Sequence, residues 1–84
     1  MTTPTQTWGR PLHQIATEIR MNWEKPYFGA VPYLDAMGTL NSVNDNYGCD
    51  PARQIIAYFL ANASTFRGVT ARMIKLELKA LLKQ

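Results

Sequence analysis

The sequence predicts an all-α fold, a compact four-helix domain with short connections. Three observations carry that prediction. Apolar residues recur at steps of three and four in four separate segments, a spacing that gathers them on one face of a helix. Between those segments lie "KPYFG", "NDNYGCDP" and "STFRG", whose Gly, Pro and polar residues interrupt helices. The 84 residues are 46% hydrophobic and 18% charged, enough apolar side chain for a packed core and too little charge for a freely solvated chain. One domain over residues 9–84 follows, preceded by a flexible tail over residues 1–8.

The first helix is expected over Pro11 to Glu24. Leu12, Ile15, Ala16, Ile19 and Trp23 share a narrow face, and Pro11 suits a first helical position because its missing N–H would have no partner there. Pro26 and Gly29 then break the chain.

The second segment is read as one long helix from about Val31 to Tyr47. Pro32 fits a first turn, and Tyr33, Ala36, Met37, Leu40, Val43 and Tyr47 continue the stripe through the Asn-rich run. Gly48 becomes its left-handed C-terminal cap, with Asp50 and Pro51 opening the next helix as N-cap and first residue. Asn and Asp are poor helix formers, so a loop beginning near Leu40 is the competing reading. A calcium loop is excluded by register: setting Gly48 at the sixth position of an EF-hand puts Val43, Tyr47 and Gln54 where acidic ligands are required. Gly38, inside this helix, costs about 1 kcal/mol relative to Ala and suggests a close helix approach.

"PARQIIAYFLANA", Pro51 to Ala63, contains the β-prone "IIAYFL", but its length, its Asp-Pro start and its alanines favour helix. Arg53 is its only charged residue, so it is expected to be the central helix, with Ile55, Ile56, Phe59 and Leu60 in the core. The last helix, Thr70 to Lys83, is expected to bury Met73, Ile74, Leu76, Leu78 and Leu81 on a broad face. Glu77 interrupts that face and calls for a cation, with Arg53, Arg67 and Arg20 as candidates. Asn44, on the arc of Tyr33 and Met37, needs hydrogen-bond partners or a place at the rim.

With the segments placed, "YFGAVPYLDAM", "NDNYG" and "YFLANASTFRG" carry a resemblance. The chain resembles small helical proteins of unknown function encoded by phages and prophages of actinobacteria, in which similar segments follow in the same order. The resemblance covers about Leu12 to Lys83. It implies a phage gene product acting in a bacterial host cytoplasm, and it brings no catalytic or binding residue with it.

The composition narrows the chemistry. One cysteine, Cys49, and one histidine, His13, can build neither an internal disulfide nor a zinc site. No apolar run reaches the roughly 18 residues of a membrane span, and the first residues lack a signal peptide's apolar stretch. No membrane association and no cofactor are expected. The "NAS" sequon at Asn62 to Ser64 is a chance match in an unexported protein. An enzyme needs a nucleophile with a base in reach, or titratable groups set in a cleft, and His13 and Cys49 offer neither pattern.

Binding is the remaining class. The first reading is a protein-binding module that modulates a host or phage complex by occlusion or scaffolding, with self-association as another form of the same activity. Its contact residues are Asp45, Tyr58, Phe66 and Arg67, since aromatic and arginine side chains anchor interfaces. Tyr27 and Phe28 belong to the same chemistry. The alternative is a DNA-binding regulator. At 100° per residue Arg72, Lys75, Lys79 and Lys83 fall on one arc of the last helix, and the preceding helix and Gly-containing turn suggest a helix-turn-helix. Against it, that stripe lacks the Asn, Gln or repeated Arg that read base edges, and a net charge of +3 is modest for a nucleic-acid clamp.

Overall fold

A computed structural model describes residues 10–83; the tail expected over residues 1–8 lies outside the described residues. Among the described residues there are four helices, α1 (Leu12–Asn22), α2 (Val31–Met37), α3 (Ala52–Ala61) and α4 (Val69–Leu82). Two short strands, β1 (Asn46–Tyr47) and β2 (Asp50–Pro51), pair antiparallel between α2 and α3. The fold is therefore predominantly helical with a small ladder, and the all-α expectation is corrected by that ladder.

The helices form a closed circuit. α1 packs on α2 and α4, and α3 packs on α2, α4 and β2. Every residue expected on the inner face of α1 is buried, from Leu12 to Trp23. Trp23 stacks on Phe66 at 5.1 Å between centroids and meets Phe59 edge-on at 6.2 Å, so three aromatic rings lock the end of α1 onto α3 and the α3–α4 joint. α3 holds the central position expected of it, against α2, α4 and β2, and buries Ala52, Ile55, Ile56 and Phe59, but it is not covered all round, since Gln54, Ala57, Tyr58 and Ala61 are exposed. On α4 the buried face is Ala71, Ile74, Leu78 and Leu81, and Met73 and Leu76 project outward. The apolar face of α4 is thus wider than the partners available to cover it.

The second segment departs from the long helix. α2 stops at Met37, and the chain continues through tight turns, Thr39 N–H to Ala36 O and Leu40 N–H to Met37 O, both 3.1 Å. Leu40 and Val43 are nevertheless buried, so as far as Val43 the apolar stripe reported burial without helix, while Tyr47 at its end is exposed in β1. The physical cause is competition for backbone donors. The Asp45 carboxylate accepts the Asn41 and Ser42 N–H groups at 2.9 and 3.1 Å, and the Ser42 hydroxyl accepts Asn44 N–H at 3.0 Å, local bonds that replace the helical ones. The freed carbonyls of Asn41 and Leu40 accept Leu12 and His13 N–H at 3.0 and 2.9 Å, which caps α1, whose N-cap Pro11 offers no side-chain acceptor.

Gly48 has φ +62, as expected, but it opens the two-residue turn of a hairpin between paired Tyr47 and Asp50 instead of capping a helix. Pro51 takes the N-cap place expected of Asp50, and α3 begins one residue later. A Cβ on Gly38 would meet only the Asp35 and Leu34 carbonyls of its own preceding turn, so this glycine does not mark a close helix approach.

Two long-range cations close the structure. Glu77 is gripped by Arg10, Nε to Oε2 at 3.0 Å and Nη2 to Oε1 at 2.8 Å, rather than by the three arginines expected from the sequence. Glu18 on α1 shares the same guanidinium at 2.8 Å, and these two carboxylates push the Arg10 pKa above its ordinary value against the opposing effect of burial. Arg53 reaches the Leu81 and Leu82 carbonyls and the Asn44 amide oxygen, each at 3.4 Å, placing a positive charge at the C-terminus of α4 where the helix dipole favours it.

Candidate functional site

The joint between α3 and α4 ends at Gly68, whose φ of +111 is a conformation that only glycine adopts without strain. That turn sends Arg67 outward, with its Nε donating to the Ser64 carbonyl at 3.2 Å, and starts α4 so that Arg72, Lys75 and Lys79 follow on the same side. The result is an open groove of about 400 Å³ lined by Phe66, Arg67, Gly68, Arg72, Lys75, Leu76 and Lys79. It joins members of the two residue sets that the sequence suggested for different partners.

The groove is strongly cationic. None of Arg67, Arg72, Lys75 and Lys79 belongs to an ion pair among the described residues, whose salt bridges are Arg10 with Glu18 and Glu77, and Arg20 with Asp35. Lys75 is half-buried, with its Nζ 5.9 Å from the Phe66 ring centroid. Its pKa lies below the ordinary lysine value, first through burial and then through the positive charges of Lys79 and Arg67. The nearby charges of Lys79 and Arg67 thus disfavour the charged form of Lys75, an effect that a bound anion would offset.

Beside the groove runs an apolar stripe. Val69, Met73 and Leu76 are 76%, 65% and 60% exposed, and their spacing of four and three residues puts them on one side of α4, next to the arc of Arg72, Lys79 and Lys83. Leu76 belongs to both stripe and groove.

The other suggested contact residues lie elsewhere or in other roles. Phe66 is only 1% exposed and stacked on Trp23, so its ring serves the core and forms part of the groove's wall. Asp45 is half-buried, with its carboxylate engaged by the 41–45 loop, and does not line the groove. Tyr58 is 46% exposed on α3, its ring 5.5 Å from Tyr33 and its hydroxyl accepting from the Gln54 amide at 2.8 Å. Lys83 is exposed and outside the groove lining. Tyr27 and Phe28 touch each other at 4.8 Å on the α1–α2 connection, over Gly29, where a Cβ would come within 2.6 Å of the Tyr27 ring. His13 is exposed on α1 and Cys49 is exposed in the hairpin turn.

Among the described residues no helix is long and apolar enough to cross a membrane. Sequence reasoning missed the exposure of Val69, Met73 and Leu76. Arg72, Lys79 and Lys83 beside them were the available signal, since a helix that alternates cations with apolar residues on its outer arc cannot be buried there. Comparison with known protein families, with curated proteins and with solved structures finds no match to this chain.

Proposed function

We propose that the protein is a non-enzymatic binding module, phage-encoded and active in the cytoplasm of a bacterial host, which modulates a host or phage protein complex by occlusion or scaffolding. The observation that carries this reading is the outer face of α4. Three large apolar side chains stand exposed there beside four cations that have no acidic partner among the described residues. Apolar anchors give a protein interface its affinity, and a rim of one charge steers and orients the encounter. Tyr58 and Arg67 extend the available contact surface.

The test is affinity capture from an actinobacterial host lysate with and without nuclease, followed by identification of what is retained. One dominant protein that survives nuclease supports the module. Recovery that vanishes with nuclease overturns it in favour of the second reading, a DNA-associated regulator using Arg72, Lys75, Lys79 and Lys83. The gathering of Arg72, Lys75 and Lys79 around one groove favours that reading, and it requires an affinity that falls steeply with salt.

A further inference from the structure

The geometry points to an acidic amphipathic protein segment as the occupant of the α4 face: its apolar side chains lie on Val69, Met73 and Leu76, and its carboxylates meet Arg67, Arg72, Lys75 and Lys79. This rests on the protein-binding reading and names the chemistry of the partner.

Charge selects the occupant. The groove gathers four cations with no acidic side chain in its lining, so charge complementarity favours an occupant that brings negative charges. A second copy of this chain is a poor source of them. Of its six acidic residues, Glu18 and Glu77 are held by Arg10, Asp35 pairs with Arg20, and Asp45 caps its own loop. Only Glu24 and Asp50 remain, on separate elements. The partner is therefore a different, acidic chain.

The apolar stripe decides between acidic partners. A nucleic-acid backbone presents phosphates and sugars, and leaves Val69, Met73 and Leu76 facing water. An amphipathic segment covers them with its own apolar side chains at the same i, i+3 and i+4 spacing. The groove beside Leu76 receives one such side chain, and the exposed cations flank it. Lys75 adds a signature, because a carboxylate beside its ammonium favours the charged form and raises its pKa. Binding at a pH above the lowered pKa of Lys75 then takes up protons, and affinity falls as pH rises beyond that value.

The experiment is a titration of the full chain with a fluorescein-labelled amphipathic peptide whose leucines are flanked by glutamates, read by anisotropy and mapped by amide NMR shifts. The same peptide with lysine in place of glutamate, a random-sequence DNA duplex and vesicles of anionic lipid run in parallel. The expected result is that the glutamate peptide binds with shifts concentrated over residues 66–79. Lys75→Glu with Lys79→Glu should then weaken it about tenfold or more and confer affinity for the lysine peptide. Leu76→Ser should weaken it without altering the helical circular dichroism. Binding of the duplex or of the vesicles without the glutamate peptide overturns the inference, as does binding by no probe or shifts centred elsewhere. A nuclease-resistant captured protein that is retained equally by the Lys75→Glu, Lys79→Glu variant leaves the binding module standing while removing this face from it.

Discussion

Replacing Glu77 by Gln keeps the shape of the side chain and removes the charge that Arg10 holds through two hydrogen bonds of 3.0 and 2.8 Å. Arg10 and Glu77 are 67 positions apart, so this contact fastens the start of the described chain to its last helix. The side chains are 24% and 21% exposed. Fully exposed pairs contribute about 0.2–1 kcal/mol and hydrogen bonds to charged groups about 1.5–3 kcal/mol, so a coupling of about 1–2 kcal/mol is expected for a bidentate pair that is partly solvated. Arg10 retains Glu18 at 2.8 Å in the variant, which keeps the guanidinium from being stranded and limits the loss. For a chain of this size the destabilisation corresponds to a fall of about 4–16 °C in Tm. The assay is a double-mutant cycle of Arg10→Met, Glu77→Gln and the pair, each unfolded in urea and followed by far-ultraviolet circular dichroism. A coupling below about 0.3 kcal/mol refutes the reasoning and makes the contact an ordinary solvated ion pair.

Asp45→Ala removes the acceptor of the Asn41 and Ser42 N–H groups, and by analogy with a lost helix cap it should cost about 0.5–2 kcal/mol. Amide exchange should accelerate at Asn41 and Ser42, and at Leu12 and His13, whose acceptors lie in the same loop. Phe66→Ala should cost about 3–5 kcal/mol through the cavity left against Trp23, with a red shift of tryptophan emission before any denaturant is added. A Phe66→Ala variant as stable as the parent would show that the ring is not part of the core. Lys75→Gln should match or exceed the parent in stability at neutral pH, because folding opposes the charged form of this lysine. Below its depressed folded-state pKa the parent carries the full penalty, which is relieved as pH rises through that value, so the advantage of Lys75→Gln in urea unfolding should shrink in alkaline buffer. A variant clearly less stable at neutral pH contradicts the assignment of Lys75 to a strained cationic cluster.

What was legible in the sequence was burial, more than backbone conformation. The α1 stripe from Leu12 to Trp23 specified both, because the side chains there that bond to the backbone, Thr17 and Asn22, donate to carbonyls one turn back and take no N–H from the helix. From Tyr33 to Val43 the same spacing announced Leu40 and Val43 as core residues, while Ser42 and Asp45 diverted the backbone into turns. The competing loop reading, which began the loop near Leu40, came closer than the long helix, since α2 ends at Met37. The clamp on Glu77 was foreseen in kind and missed in identity, since a partner 67 positions away leaves no local trace.

The site was half legible for a related reason. The arc of Arg72, Lys75 and Lys79 follows from helical geometry alone, and these side chains do share a groove. Phe66 resembled an interface anchor because it is aromatic, yet its ring is buried and stacked on Trp23. Met73 and Leu76 resembled core because they are apolar. Whether an apolar residue on α4 is covered depends on how many helices pack against it, and the available neighbours cover one arc only.

The most direct measurement is photo-crosslinking in bacterial cells that express the protein, from a benzophenone amino acid placed at Leu76, with one at exposed Gln14 on α1 as the reference. One protein adduct is expected from Leu76, unchanged by nuclease, lost when Lys75 and Lys79 are made Glu, and absent from Gln14. Equal labelling from both positions, adducts to nucleic acid alone, or no adduct from Leu76 would contradict that expectation.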